Sequence, residues 1–161
     1  MNFVSDQDHS RLAPANKLDG LGRFLVDDSI GILLRTMFRK LLHSKIHQAV
    51  VTEARPDYQG SLTVDASLLE QCGMRANDAI LIANCETGAR FETYLFSGES
   101  GSGVIGVNGA AAHLASPGDR IIIIHWAYMD EEESRSHEPR VLLMNSDNTV
   151  RESITYDIGI G

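Results

Sequence analysis

From Met37 onward, short apolar runs rich in β-branched and aromatic side chains alternate with turn residues such as glycine, asparagine and aspartate. Runs of this kind are typical of strands joined by tight turns. They predict strands at residues 50–52, 61–65, 79–82, 91–96, 104–107, 120–128 and 141–144. The segment around residues 43–47 also reads as strand. Many short strands at close spacing favour a small closed β-barrel over a layered α/β sheet.

Helical patterns are few. Asp65 or Ser67 can cap a helix, Ser67 and Glu70 have capping-box spacing, and Gly73 can end it. A second short helix is predicted after Asn108. The periodicity of residues 21–34 does not distinguish helix from strand, and the acidic run 130–133 is interpreted as a solvated loop.

Composition narrows the function classes. The chain has 161 residues, enough for one domain, and a formal net charge of −8. An acidic chain is a poor candidate for nucleic-acid binding. Cys72 and Cys85 show no metal-ligand spacing and cannot form a disulfide framework, which favours a cytoplasmic protein. No apolar run suggests a membrane span, and the polar N-terminus is unlike a secretory signal.

The run Tyr58-Gln59-Gly60-Ser61 is the strongest candidate for chemistry. A serine hydroxyl can attack the preceding carbonyl carbon and convert the amide to an ester, and glycine at that position leaves the approach open. Elimination from the ester and hydrolysis would leave a pyruvoyl group in place of Ser61. A Gly-Ser pair alone does not predict this reaction, so neighbouring motifs decide the interpretation.

Three motifs accompany this pair along the chain. One lies upstream of it and consists of Lys45-Ile46-His47 with Thr52. Two lie downstream: Gly88-Ala89-Arg90 with Thr93-Tyr94, and Gly101-Ser102-Gly103 with Asn108-Gly109-Ala110-Ala111-Ala112-His113. Together they resemble the pyruvoyl-dependent aspartate 1-decarboxylase family from about residue 37 to 144. The resemblance implies a mainly β fold, a small six-stranded double-psi β-barrel with short helices. It also implies a homotetramer with active sites between subunits.

The same resemblance implies the reaction. Cleavage between Gly60 and Ser61 would turn the zymogen into an enzyme whose covalent pyruvoyl group forms a Schiff base with L-aspartate. No metal and no pyridoxal phosphate would be needed, because the pyruvoyl group serves as the electron sink. The products would be β-alanine and CO2, a step in pantothenate and coenzyme A biosynthesis. Whether the cleavage is spontaneous or needs a maturation factor is left open.

The resemblance also implies roles for side chains. Lys45 and Arg90 would bind the substrate carboxylates, for which the arginine fork is well suited. Tyr94 would return a proton to the carbanion, since a phenol keeps its proton at neutral pH. Thr93 would assist self-processing and contact substrate. Strand alternation places Thr93 on the opposite face from Arg90 and Tyr94, so a bulge or a subunit boundary is expected to reconcile them.

The remaining implied contacts are to the substrate and the cleavage loop. Asn108 and the backbone of Gly109, Ala110 and Ala111 would hold the substrate, and Tyr58 would shape the loop and pocket. Small residues at 109–111 allow the main chain to approach a ligand closely. His43 and His47 are four residues apart, but on a strand without a third ligand they do not indicate a metal site.

Two alternatives stay open. The same chemistry could act on another acidic amino acid, with Ala83 a position to inspect, or an unprocessed barrel could bind a small carboxylate without reaction. Residues 1–36 precede the resemblance and are expected to be a mobile extension, with Met37 a possible true start. Residues 145–161 are expected to form a C-terminal tail. Pro56, just before the cleavage motif, is unusual for the family and leaves the efficiency of processing open.

Overall fold

A computed structural model describes residues 37–59 and 61–156. Within these residues nine strands form one sheet: β1 Arg39–Val50, β2 Glu53–Arg55, β3 Leu62–Asp65, β4 Ala79–Asn84, β5 Arg90–Gly98, β6 Ile105–Asn108, β7 Arg120–Met129, β8 Arg140–Met144 and β9 Val150–Thr155. Two short helices, α1 Ala66–Cys72 and α2 Glu131–Ser136, and a 3-10 helix at Gly109–His113 complete the fold. The prediction of a mainly β protein with short helices is confirmed.

Strand order in the sheet is β2-β6-β3-β5-β4-β7-β1-β8-β9. Parallel pairs, β2 with β6, β3 with β5 and β1 with β8, are mixed with antiparallel ones. In the described part of the chain the ladder runs from β2 to β9 without a pair that joins its two ends. The sheet is therefore larger than six strands and is not closed by its hydrogen bonds.

The long strand β1 organises one half of the sheet. It pairs with β7 in antiparallel register and with β8 in parallel register. Two register shifts, at His43 and at Gln48, interrupt the pairing with β7. Gln48 has a φ of 64°, the left-handed conformation typical of a bulge residue. Ile46 lies between the two bulges and Ala49 follows the second, and both side chains are fully buried.

Apolar side chains from both halves of the sheet form one core. The fully buried positions are contributed mainly by the β-branched residues that alternate along the strands. The largest of them are Ile46, Leu62, Ile80, Ile82, Leu95, Ile105, Ile121, Ile123 and Leu142. Helix α1 adds Leu68, Leu69 and Cys72 to this core.

Asp65 joins three segments at the end of β3. Its carboxylate accepts the N–H of Ser67 at the start of α1 (2.8 Å). It also accepts the N–H groups of Gly101 (2.9 Å) and Gly103 (2.7 Å) from the loop before β6. Burial alone would raise the pKa of Asp65, but these N–H donors and the Ser67 hydroxyl lower it overall.

Several predicted boundaries differ from the structure. The run 50–52 is not a separate strand, since β1 ends at Val50 and β2 begins at Glu53. The acidic run 130–133 is not a loop: Asp130 caps α2, and Glu133 completes a capping box with it. The predicted tail, residues 145–161, contains β9, which pairs with β8.

Some predictions lie outside the described residues. The extension 1–36, including the ambiguous segment 21–34, and Gly60 are among these. Within residues 37–59 and 61–156 no helix has the length and apolar character needed to cross a bilayer.

Asp65→Asn should lower the free energy of unfolding by about 1–3 kcal/mol at neutral pH, because an amide replaces a carboxylate that accepts several donors. The pKa of Asp65 is lower in the folded chain than in the unfolded one, so its contribution is present above about pH 4 and fades below it. Denaturant titrations from about pH 8 to about pH 3 measure the difference.

Glu70→Gln is the matched control, since Glu70 is exposed on the helix that Asp65 caps and loses the same charge. A gap between Asp65→Asn and the parent that stays constant down to about pH 3 would contradict the assigned role.

Candidate active site

One pocket, with a volume of about 350 Å³, collects most of the residues that the sequence motifs single out. It is lined by Ser61, Phe91, Glu92, Thr93, Tyr94, Asn108, Gly109, Ala110, Ala111 and Leu114. Three segments far apart in sequence supply them: the start of β3, the middle of β5, and the end of β6 with the 3-10 helix. The structure therefore brings together the predicted source of the pyruvoyl group, the predicted proton donor and five of the eight predicted substrate contacts.

Ser61 lies at the entrance to β3, where the ladder fixes it. Its carbonyl accepts the N–H of Asn108 at 2.8 Å. The next residue, Leu62, pairs with Leu95 of β5 on one side and Val107 of β6 on the other. Ser61 is 8 % exposed. Its backbone is thus held between two strands at the pocket wall, largely shielded from water.

The four β5 residues that line the pocket are consecutive, from Phe91 to Tyr94. Side chains alternate between the faces of a strand, so this pocket reaches both faces of β5. Thr93 is half-buried, whereas Tyr94 is 44 % exposed and packs against Phe96 with ring centroids 5.6 Å apart. The apparent conflict between Thr93 and Tyr94 is resolved because the pocket touches both faces, without a bulge in β5.

Asn108 is buried at the end of β6, with only 2 % of its surface exposed. Its Nδ2 donates to Thr63 Oγ1 at 3.0 Å, whereas its Oδ1 has no hydrogen-bond partner among the described residues. A buried acceptor without a donor costs about 1–3 kcal/mol.

The 3-10 helix that follows supplies a wall with little side chain. It begins at Gly109, whose φ of 61° suits glycine, and continues through three alanines. Its far end is held by Asn84, which is itself buried. Asn84 Nδ2 donates to the Leu114 carbonyl (3.1 Å) and to Asp119 Oδ2 (2.8 Å). Asn84 Oδ1 accepts the N–H of Glu86 at 2.9 Å.

Three predicted residues do not line this pocket. Lys45 Nζ donates to the Tyr156 hydroxyl at 3.3 Å and lies over its ring. Arg90 is exposed on β5, and its Nη1 donates to the Gly88 carbonyl at 3.4 Å. Tyr58 is 52 % exposed, with the Arg55 guanidinium 6.0 Å from its ring centre.

Other residues of interest also take defined places. Ala83, considered for substrate preference, lies directly opposite Arg90 in the β4–β5 ladder. The turn before Tyr58 is closed by its N–H donating to the Arg55 carbonyl at 3.2 Å. Pro56 occupies the second position of this turn, where its fixed φ is favourable.

Phe91, Glu92 and Leu114 line the pocket but were not predicted to do so. Glu92 carried a signal, since it falls within the short stretch that contains Arg90, Thr93 and Tyr94. No sequence signal indicated Leu114, because its position in the pocket wall depends on where the 3-10 helix ends. In the described part of the chain no group of histidine, cysteine and carboxylate side chains could hold a metal. Burial raises the pKa of the Cys72 thiol to about 12, so this group stays protonated.

Comparison with known proteins identifies the family. The profile of the family described as "Aspartate decarboxylase" matches residues 37–151. The chain belongs to the aspartate decarboxylase family. The match begins at the residue where the described structure starts, and it continues beyond β8 to the first residues of β9.

Curated relatives agree with this family. The chain is similar to proteins named aspartate 1-decarboxylase from three bacteria. One from Clostridium beijerinckii is 46% identical over 121 residues, covering 75% of this chain and 98% of the relative. One from Bacillus licheniformis is 48% identical over 118 residues, covering 73% and 93%. One from Neisseria meningitidis is 47% identical over 121 residues, covering 75% and 95%.

Asn84→Ala should lower the free energy of unfolding by about 2–4 kcal/mol, because several buried donors and acceptors lose their partners at once. Asn145→Ala is the control, since the Asn145 side chain makes an exposed contact to Thr149. Chemical denaturation followed by far-ultraviolet circular dichroism measures both. Equal, small losses in the two variants would show that Asn84 does not support the pocket wall.

Proposed function

We propose that this protein converts L-aspartate to β-alanine and CO2, using a pyruvoyl group made from Ser61 after cleavage of the Gly60–Ser61 bond. One observation carries the proposal: in a member of the aspartate decarboxylase family, Ser61, Thr93, Tyr94 and Asn108 line one pocket. β-Alanine is a precursor for pantothenate and coenzyme A, and the proposed role lies in that pathway.

The site suits a backbone-derived pyruvoyl group. Ser61 is shielded from water, and its backbone is held by a hydrogen bond from Asn108. When present, the pyruvoyl group supplies an electron sink for the electrons left by decarboxylation. The other lining residues are small or neutral apart from Glu92, which leaves space for an amino acid beside Ser61.

Each neighbouring residue then has a defined task. Thr93 offers a hydroxyl on the inward side of β5, where it assists processing and contacts the substrate. Asn108 lies at the pocket wall beside Ser61 and contacts the substrate. The backbone of Gly109, Ala110 and Ala111 approaches the substrate closely. Tyr94 delivers the proton that completes the product.

A dicarboxylate needs positive charge, and the lining of this pocket includes no lysine or arginine among the described residues. Lys45 and Arg90 lie outside it in the same chain. A homotetramer with sites at subunit boundaries supplies them from a neighbouring subunit. The corresponding fold proposal is a six-stranded double-psi β-barrel within this nine-stranded sheet. The maturation step is proposed to take place spontaneously or with a partner protein.

Tyr94→Phe should still cleave at Ser61 but should lose about 100-fold or more in the rate of β-alanine formation, because the phenol that donates the proton is absent. Tyr128→Phe is the matched control, since Tyr128 is an exposed tyrosine on β7. Quantifying β-alanine by chromatography with cleaved protein and L-aspartate measures both variants.

Ser61→Ala provides the blank, since it can neither cleave nor carry a pyruvoyl group. L-Glutamate assayed in parallel tests whether another acidic amino acid is the substrate. Undiminished turnover by cleaved Tyr94→Phe would remove Tyr94 as the proton donor.

A further inference from the structure

A second pocket, of about 300 Å³, shares no residue with the first. It lies where the start of β8 meets the loop after α1. Its lining is made of charged and titratable side chains around one glycine: His43, Gly73, Arg75, His137, Glu138 and Arg140. Two of these side chains are guanidinium groups and one is a carboxylate. With histidine counted as neutral the lining is net positive, although the net charge of the chain is −8.

The two arginines have no carboxylate partner within 4.0 Å in residues 37–59 and 61–156. Four other arginines in that part of the chain are paired with glutamates: Arg39, Arg55, Arg120 and Arg135. The hydrogen-bonding capacity of Arg75 and Arg140 is therefore not taken up by an ion pair. Both face the same concavity from different segments of the chain.

Gly73 creates the space in which these groups meet. It ends α1 with a φ of 71°, a conformation that favours glycine. A Cβ atom there would lie 3.1 Å from Arg140 Nη1 and 3.7 Å from His43 Cε1. The guanidinium and the imidazole thus approach the same point, which a side chain would otherwise occupy.

Contacts on the far side of the two imidazoles orient their rings. His137 Nε2 donates to the Leu42 carbonyl at 2.8 Å, and its ring stacks on His43 with centroids 5.7 Å apart. His43 Nδ1 lies 3.2 Å from His125 Nδ1, and His125 Nε2 lies 3.7 Å from Asp78 Oδ2. The Cε1 edge of His43 is left toward Gly73 and the pocket.

In the lining of this pocket two guanidinium groups face one carboxylate. The pKa of His43 is lowered, first by burial and then by the nearby His125, His137 and Arg140, whereas Asp78 raises it. Asp78 does not line the pocket, and its carboxylate already accepts the N–H of Arg75 at 2.8 Å. Glu138 is the acidic group in the lining, and it opposes two guanidinium groups.

We propose that this pocket binds a phosphate-class oxyanion between Arg75 and Arg140, with His43 and His137 at its edge. A carboxylate presents two oxygens on one side and can be held by one arginine fork. Two guanidinium groups from separate segments suit a tetrahedral anion with acceptors on several sides. The binding site is distinct from the proposed catalytic pocket and does not depend on the decarboxylase assignment.

Isothermal titration calorimetry of the full chain with inorganic phosphate, at constant ionic strength set by chloride, tests the proposal. We expect saturable binding that weakens about tenfold or more in Arg140→Gln and in Arg75→Gln, as loss of a charged hydrogen bond predicts. Arg120→Gln removes the same charge elsewhere and should bind normally. Thermal melting establishes that each variant is folded. If Arg140→Gln does not fold, the phosphate affinity of Arg75→Gln tests the proposal alone.

Arg90→Gln separates the two pockets. Unchanged phosphate binding in Arg90→Gln, together with weakened binding in the two pocket variants, supports the proposal. Loss of binding in Arg90→Gln with full retention in Arg75→Gln and Arg140→Gln would place the anion in the proposed catalytic site and overturn it. Absence of saturable binding to the wild-type chain would overturn it as well. O-Phosphoserine titrated in parallel distinguishes an organic phosphate, if it binds more tightly, from free phosphate, if it does not.

Discussion

The placement of β3 between β5 and β6 is the constraint on which the candidate active site depends. Leu62 pairs in parallel with Leu95 and in antiparallel register with Val107, and all three are fully buried. A slip of one residue in either register would turn these apolar side chains outward. The same register places Ser61 against Asn108 and beside the middle of β5. Core packing therefore fixes the relative position of the residues that line the candidate active site.

Support for this arrangement comes from short polar contacts at the strand ends. Asp65 holds the end of β3 to α1 and to the glycine-rich loop, and Asn84 holds the far end of the 3-10 helix. Both residues are 2 % exposed, so their hydrogen bonds are protected from water. The glycine-rich loop and the 3-10 helix that lines the pocket are in this way attached to the sheet.

Local patterns in the sequence predicted much of the fold. Runs of β-branched residues located β3 to β8, and the residues at the ends of α1 indicated its limits. Asp130 and Glu133 also have capping-box spacing, which predicts the start of a helix. The prediction missed α2 because it interpreted this acidic run as a solvated loop. Local patterns could not predict the order of the strands, because the pairing of β1 with β7 and β8 depends on contacts between distant segments.

Only part of the candidate site could be predicted from the sequence. Ordered motifs located Ser61, Thr93, Tyr94 and Asn108, which the structure brings into one pocket. Lys45 and Arg90 belong to the same motifs but lie outside that pocket. Leu114 enters it only because of how the 3-10 helix ends. Motifs therefore indicated candidate residues, whereas the tertiary arrangement decided which of them the folded chain brings together.

Intact-mass spectrometry of the purified protein tests the central claim most directly. Two polypeptides are expected, one ending at Gly60 and one beginning at residue 61. The second should be lighter than its encoded sequence, because the amine of Ser61 has become a carbonyl. A single full-length mass after prolonged incubation, with and without cell extract to supply a maturation partner, would contradict the account.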